Sequence, residues 1–158
     1  MRIRSIIAAV VLALSAPCAA TAQTPLPDPA VTLGGTFPQD GGEKDRTDLE
    51  GLRSGKEVFD HAMQRMADEM RAAIRDKSAA ERRTALDAVQ WEYAPFAVMY
   101  ADAVASYGRT RLDRIADPDR RWRIGNGLDV LQAEIIRIPA DIRDDLEREE
   151  RLARASGQ

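Results

Sequence analysis

The sequence predicts an all-α fold, a small antiparallel bundle of three to four helices, on three observations. No stretch alternates apolar and polar residues with the period of two that a half-buried strand requires. Several segments instead space apolar residues three and four apart, which gathers them on one face of a helix. Helix-start signals also recur, at Thr47-Asp48-Leu49-Glu50, Ser78-Ala79-Ala80-Glu81 and Asp117-Pro118.

Residues 1–22 precede this fold. Arg2 and Arg4 lead into an apolar run from Ile6 to Ala16, and the small residues Ala20-Thr21-Ala22 follow Pro17. This order is that of a secretory signal peptide, with cleavage expected after about Ala22 and a periplasmic or secreted destination. The eleven residues of the run are too few to span a bilayer, which takes about twenty as helix. Pro17 immediately before Cys18, with Ser15 three before it, does not fit a lipobox, so no lipid anchor is expected. Loss of Arg2 and Arg4 from the 23 basic side chains leaves 21 against 26 acidic ones, a net of about −5. The only cysteine leaves as well, so packing rather than disulfides must hold the mature chain.

Residues 23–46 hold Pro25, Pro27, Pro29, Gly34, Gly35, Pro38, Gly41 and Gly42 among few aliphatics. A flexible arm is expected there, extended by its prolines and loosened by its glycines. The helical domain, 47–158, follows.

Its first helix is expected to start at the Thr47–Glu50 capping box and to run to about Asp76. Leu49, Leu52, Phe59, Met63, Met66, Met70, Ala73 and Ile74 form its apolar face, and Gly51 and Gly55 weaken its first turns. The box at Ser78 opens the second helix so soon afterwards that the two must be antiparallel neighbours. That helix carries Leu86, Val89, Tyr93, Phe96, Ala97, Tyr100, Val104 and Tyr107 and is expected to stop at Gly108. Its apolar spacing stays in phase across Pro95, which predicts one kinked helix rather than two.

A basic connector follows, with Asp117 as N-cap and Pro118 at the first helical position of a segment ending at Gly125-Asn126-Gly127. The last helical region is expected to start near Leu128 or Asp129. Leu128, Leu131, Ile135 and Ile138 give it a narrow apolar face, Pro139 breaks or kinks it, and Ile142, Leu146 and Leu152 extend a sparser face.

Leu86-Asp87-Ala88-Val89-Gln90-Trp91-Glu92 and Leu128-Asp129-Val130-Leu131-Gln132-Ala133-Glu134 share Leu, Asp, Gln and Glu at the same offsets. The match ends outside those positions, so the preferred explanation is coincidence between amphipathic helices rather than a repeat. The segment resembles the Leu-Thr-x-x-Gln element of small helical periplasmic chaperones and stress sensors. Aspartate stands in place of threonine in both copies, and no family is claimed from it.

Met63, Met66 and Met70 stack three thioethers on one helical face, with Met99 on the neighbouring helix. Such a set selects Cu(I), which makes copper binding one alternative. The same positions fall on the stripe of Phe59 and Ile74, where flexible thioethers fill core volume, and that reading is preferred. His61 is the only histidine; Glu57 shares its face and Asp68 lies two turns on, but a metal site needs further ligands, so no metal and no cofactor are expected. Glu92 and Glu134 are the carboxylates nearest apolar neighbours, and neither has an evident partner for acid–base work. Without a second histidine, a mature cysteine or a nucleophile-elbow serine, no catalytic residue is assigned and no enzyme is expected.

Arg109 to Arg123 holds six arginines against Asp113, Asp117 and Asp119, centred on Arg120-Arg121-Trp122-Arg123. Arginine interleaved with an aromatic can stack on bases or sit at anionic lipid headgroups, and in an exported protein peripheral contact with lipid is expected rather than nucleic acid. The stronger, bland reading has Trp122 cover one end of the bundle while these arginines remain solvated or pair with Asp141, Asp144, Asp145, Glu147, Glu149 and Glu150. The C-terminal helix reads as too charged for the core, a solvated arm or a helix presenting Ile142, Leu146 and Leu152. Partner contact is therefore expected at Arg120, Arg121, Trp122, Arg123, Ile142 and Leu146. The expected function is that of an exported helical binding protein acting on an envelope protein through a helical face, with a periplasmic chaperone or stress sensor as the alternative.

Overall fold

Apolar residues three and four apart become three long helices and one short one in the computed structural model, which describes residues 29–37, 42–75 and 77–156. They are α1 (Pro29–Thr36), α2 (Glu43–Ala73), α3 (Ala79–Arg109) and α4 (Pro118–Ser156), with a 3-10 turn at Leu112–Arg114. The chain is all-helical: among the described residues there is no strand. The expected signal peptide lies outside the described residues.

Part of the expected arm is structured. Pro29 takes the first position of α1, where its missing N–H costs nothing. Leu33 and Phe37, four residues apart, are both buried, and the Phe37 ring meets Tyr107 edge-on at 6.4 Å. α2 begins at Glu43, upstream of the expected capping box, and Gly42 before it offers no side-chain cap. Thr47 lies inside the helix instead, its hydroxyl donating to the Glu43 carbonyl at 3.0 Å. Ion pairs from Asp45 and Asp48 to distant arginines fix these first turns where no local cap does.

α3 starts as its sequence requires. Ser78 N–H donates to Glu81 at 2.9 Å while Glu81 N–H donates to Ser78 Oγ at 3.4 Å, and both free amides are satisfied. The helix continues through Pro95, whose ring lies on the exposed side where water can take the freed carbonyl. It also continues through Gly108 to Arg109.

Asp117 caps α4, accepting from the N–H groups of Asp119 at 2.9 Å and Arg120 at 3.3 Å. The expected break at Gly125-Asn126-Gly127 does not occur, and α4 is one helix of 39 residues that also passes Pro139. Each helical glycine costs about 1 kcal/mol relative to alanine. Burial along the helix beyond the glycines offsets this, since Leu128, Ile135, Pro139, Ile142 and Leu146 all pack inside. Ile142 and Leu146 therefore belong to the core, against the expectation that the C-terminal helix is too charged to enter it.

α3 lies between the other two long helices. Phe59 of α2 stacks on Tyr100 at 5.0 Å, and Tyr93 donates to Glu69 at 2.6 Å, so α2 and α3 run in opposite directions. Arg82 pairs with Glu150 and Arg109 with Asp129, which sets α4 opposite to α3 in the same way. Met66, Met70, Val104 and Ile135 fill the centre.

Candidate interaction surface

The most buried polar group is a charge cluster at one end of the molecule. Arg111 and Asp45 are each 3% exposed. Arg111 donates to Asp45 at 2.9 Å, to Asp48, and to the Tyr107 carbonyl at 3.2 Å, with its guanidinium 3.8 Å from the Tyr107 ring centre. Arg114 adds two hydrogen bonds to Asp45, at 2.7 and 3.1 Å. Burial opposes the Arg111 charge, but the hydrogen bonds to Asp48 and Asp45 outweigh it and its pKa is raised. The hydrogen bond from Arg111, then that from Lys44, holds the Asp48 carboxyl below its ordinary value. With Asp45 held by Arg111 and Arg114 and Asp48 by Arg111, the cluster is a tie between α2 and the α3–α4 connection.

The two Leu-Asp-x-x-Gln segments do the same structural job. Leu86 and Leu128 are both buried. Asp87 and Gln90 hold Arg143 of the facing helix at 2.7 and 3.4 Å, and Asp129 and Gln132 hold Arg109 at 2.7 and 2.8 Å. The sequence echo thus marks one local device used twice.

The outer face of α3 is different in kind. Trp91 is 84% exposed and Met99 65%, with Pro95, Val98 and Phe96 exposed beside them. On a helix, positions 91, 95, 98 and 99 share one side, so these side chains form a continuous apolar stripe turned to solvent. Phe96 leads from the stripe into a groove of about 350 Å³ between α2 and α3, lined also by Glu57, Val58, His61, Ala62, Arg65 and Tyr93. The hydrogen bond to Glu69 raises the Tyr93 hydroxyl pKa above its ordinary value. A helix apolar on both its inner and outer sides has one side to spare for another molecule.

The expected site residues scatter. Met63, Met66 and Met70 are core, the last two at 0% exposure, and Met99 faces solvent on another helix, away from them. Exposed His61 lines the groove with Glu57, whereas Asp68 accepts from Gln64 and Arg71. Asp102 meets Gln132 and Asp87 meets Arg143, which sets Glu134 about two helical turns along α3 from Glu92, so these carboxylates do not converge. Among the described residues no group of three or more metal-ligating side chains gathers.

Trp122, 68% exposed, does not cover the end of the fold; it edges a shallow groove of about 430 Å³ with Arg109, Leu112, Pro118 and Arg121. Arg120 donates to the Thr36 carbonyl at 3.3 Å and Arg121 to that of Ile115 at 2.7 Å, while Arg123 is exposed. Apart from exposed Arg123, the connector arginines bond these groups and Asp45, Asp48 and Asp129, neither staying solvated nor reaching the acidic side chains from Asp141 to Glu150, the two outcomes expected of them. Ile142 and Leu146, being core, do not face a partner from this conformation.

Sequence reasoning assigned the α3 positions that face inward but counted Phe96 among them, which is exposed, and it passed over Trp91, Pro95 and Val98 as a surface. One signal marks the outer face: from Thr84 to Gly108 there is no lysine, arginine or histidine. No protein-family model, curated protein or solved structure matches the chain. Among the described residues no helix is long and apolar enough to cross a membrane.

Proposed function

We propose that this protein is exported, loses its first 22 residues, and works as a small antiparallel helical bundle, bent at Pro95, that binds a protein partner in the cell envelope through the outer face of α3. The observation that carries the binding reading is Trp91 at 84% exposure on a stripe with Pro95, Val98 and Met99. Large aromatics left in water on an ordered helix are characteristic anchors of protein interfaces. The export reading is supported by the order of charge, apolar run and small residues in the first 22 positions.

The test replaces Trp91 with a photo-crosslinking amino acid in the native envelope, with exposed Arg151 as the control position. One reproducible adduct from position 91 and none from 151 is the expected result. Many unrelated adducts from position 91 would favour the chaperone reading, and equal labelling from both positions would remove the α3 face as a binding surface. N-terminal sequencing of the mature protein should begin at Gln23.

A further inference from the structure

We infer that the partner element received by the outer face of α3 is an amphipathic helix whose apolar seam is flanked by lysine or arginine. This rests on the binding role proposed above and adds the chemistry of what is bound.

Shape argues for a helix. Ala88, Trp91, Pro95 and Met99 are spaced three, four and four residues apart, a narrow seam about 16 Å long. That spacing matches the anchors of a helix laid alongside, and the groove beyond Phe96 gives the partner's side chains a place to seat.

Charge selects the flanks. The stretch from Thr84 to Gly108 contains three carboxylates, Asp87, Glu92 and Asp102, and no cation. Arg143 engages Asp87 at 2.7 Å. Glu92 is exposed, and Asp102, also exposed, accepts only the uncharged Gln132 amide among the hydrogen bonds of the described residues. The groove's arginine, Arg65, is already held by Glu69 at 3.2 Å.

The seam is thus bordered by two carboxylates with no direct ion pair among the described residues, about 15 Å apart along the axis. A second copy on this face would add its own two carboxylates to these, and an anionic bilayer would meet the same repulsion. A helix with basic residues roughly ten positions apart meets both carboxylates while covering Trp91 and Met99.

The experiment uses the protein carrying Trp122→Phe, which leaves Trp91 as its one tryptophan. It is titrated with two synthetic helical peptides sharing a leucine seam, one flanked by lysine and the other by glutamate, and separately with phosphatidylglycerol vesicles. The lysine peptide should shift Trp91 emission to the blue and bind at least about tenfold more tightly than the glutamate peptide, with the gap closing in high salt. Glu92→Gln with Asp102→Asn should close the same gap, and Met99→Lys should abolish binding while leaving the helical circular dichroism unchanged. Equal binding of the peptides overturns the charge selection but leaves the binding face standing. No response to either peptide, alongside a crosslinked partner at position 91, overturns the helix and keeps the face. A vesicle response, or a blue shift on raising protein concentration alone, assigns the face to membrane or to a second copy and overturns the inference.

Discussion

Leu128 occupies the space that a side chain on Gly108 would need. A Cβ at position 108 would lie 2.5 Å from both Leu128 methyl carbons and 3.1 Å from its Cγ. Leu128 is buried, so its side chain has little room to turn away. Gly108→Ala should therefore destabilise the fold by about 1–3 kcal/mol in urea unfolding, although alanine is the better helix former. With Leu128→Ala present the same change should become neutral or stabilising; an equal loss in both backgrounds would show that this contact is not the cause.

Breaking the buried charge cluster should be far more damaging than breaking a surface pair. Asp45→Ala removes acceptors from both Arg111 and Arg114 and should cost about 3 kcal/mol, because the Arg111 charge stays buried. Asp129→Ala breaks the exposed pair with Arg109 and should change stability by less than about 1 kcal/mol. Parallel denaturant melts of the two variants decide the matter, and similar losses would argue against the cluster as the principal tie.

The acid side of the stability profile should report Asp48. Its folded pKa is lowered, first by the hydrogen bond from Arg111. The unfolded chain then takes up the proton more readily, so the pairing stabilises above the ordinary aspartate value of about 3.9 and is lost as pH falls through the lower folded value. Thermal midpoints should drop below about pH 4, and Asp48→Asn should flatten that drop while leaving the slope between about pH 6 and 8 unchanged. A variant with the wild-type acid slope would assign the loss to other carboxylates.

Gly51 offers a gain. It lies inside α2 with nothing within 4 Å of where a Cβ would stand. Gly51→Ala should raise stability by about 1 kcal/mol in chemical denaturation, from backbone entropy alone. A destabilised variant would mean that this turn of α2 is held differently.

What could be read in advance followed from local chemistry. The Ser78 box and the Asp117 cap act within four residues of themselves, and both form. The inward faces of Leu86 to Tyr107 and of Leu52 to Met70 follow from helical geometry. Asp45 could not be read this way, because its partners Arg111 and Arg114 stand 66 and 69 residues further on. With those partners unseen, the first turn of α2 looked like arm. Gly125 and Gly127 looked like an end for a related reason: local propensity there is outweighed by burial at Leu128, Ile135 and Pro139. Of the proposed contact residues, Trp122 is on the surface, and Ile142 and Leu146 are not. Apolar periodicity alone does not separate a core stripe from an exposed one, and in α3 both exist.

The paired arginine grips on Asp87 and Asp129 stand near opposite ends of the α3–α4 contact. A slip of one helix along the other by a single turn, about 5.4 Å, would break both at once. α3 is thereby pinned against sliding and offers its outer side as a fixed rail. Whatever docks there meets a surface already in its final shape, so little ordering entropy opposes association.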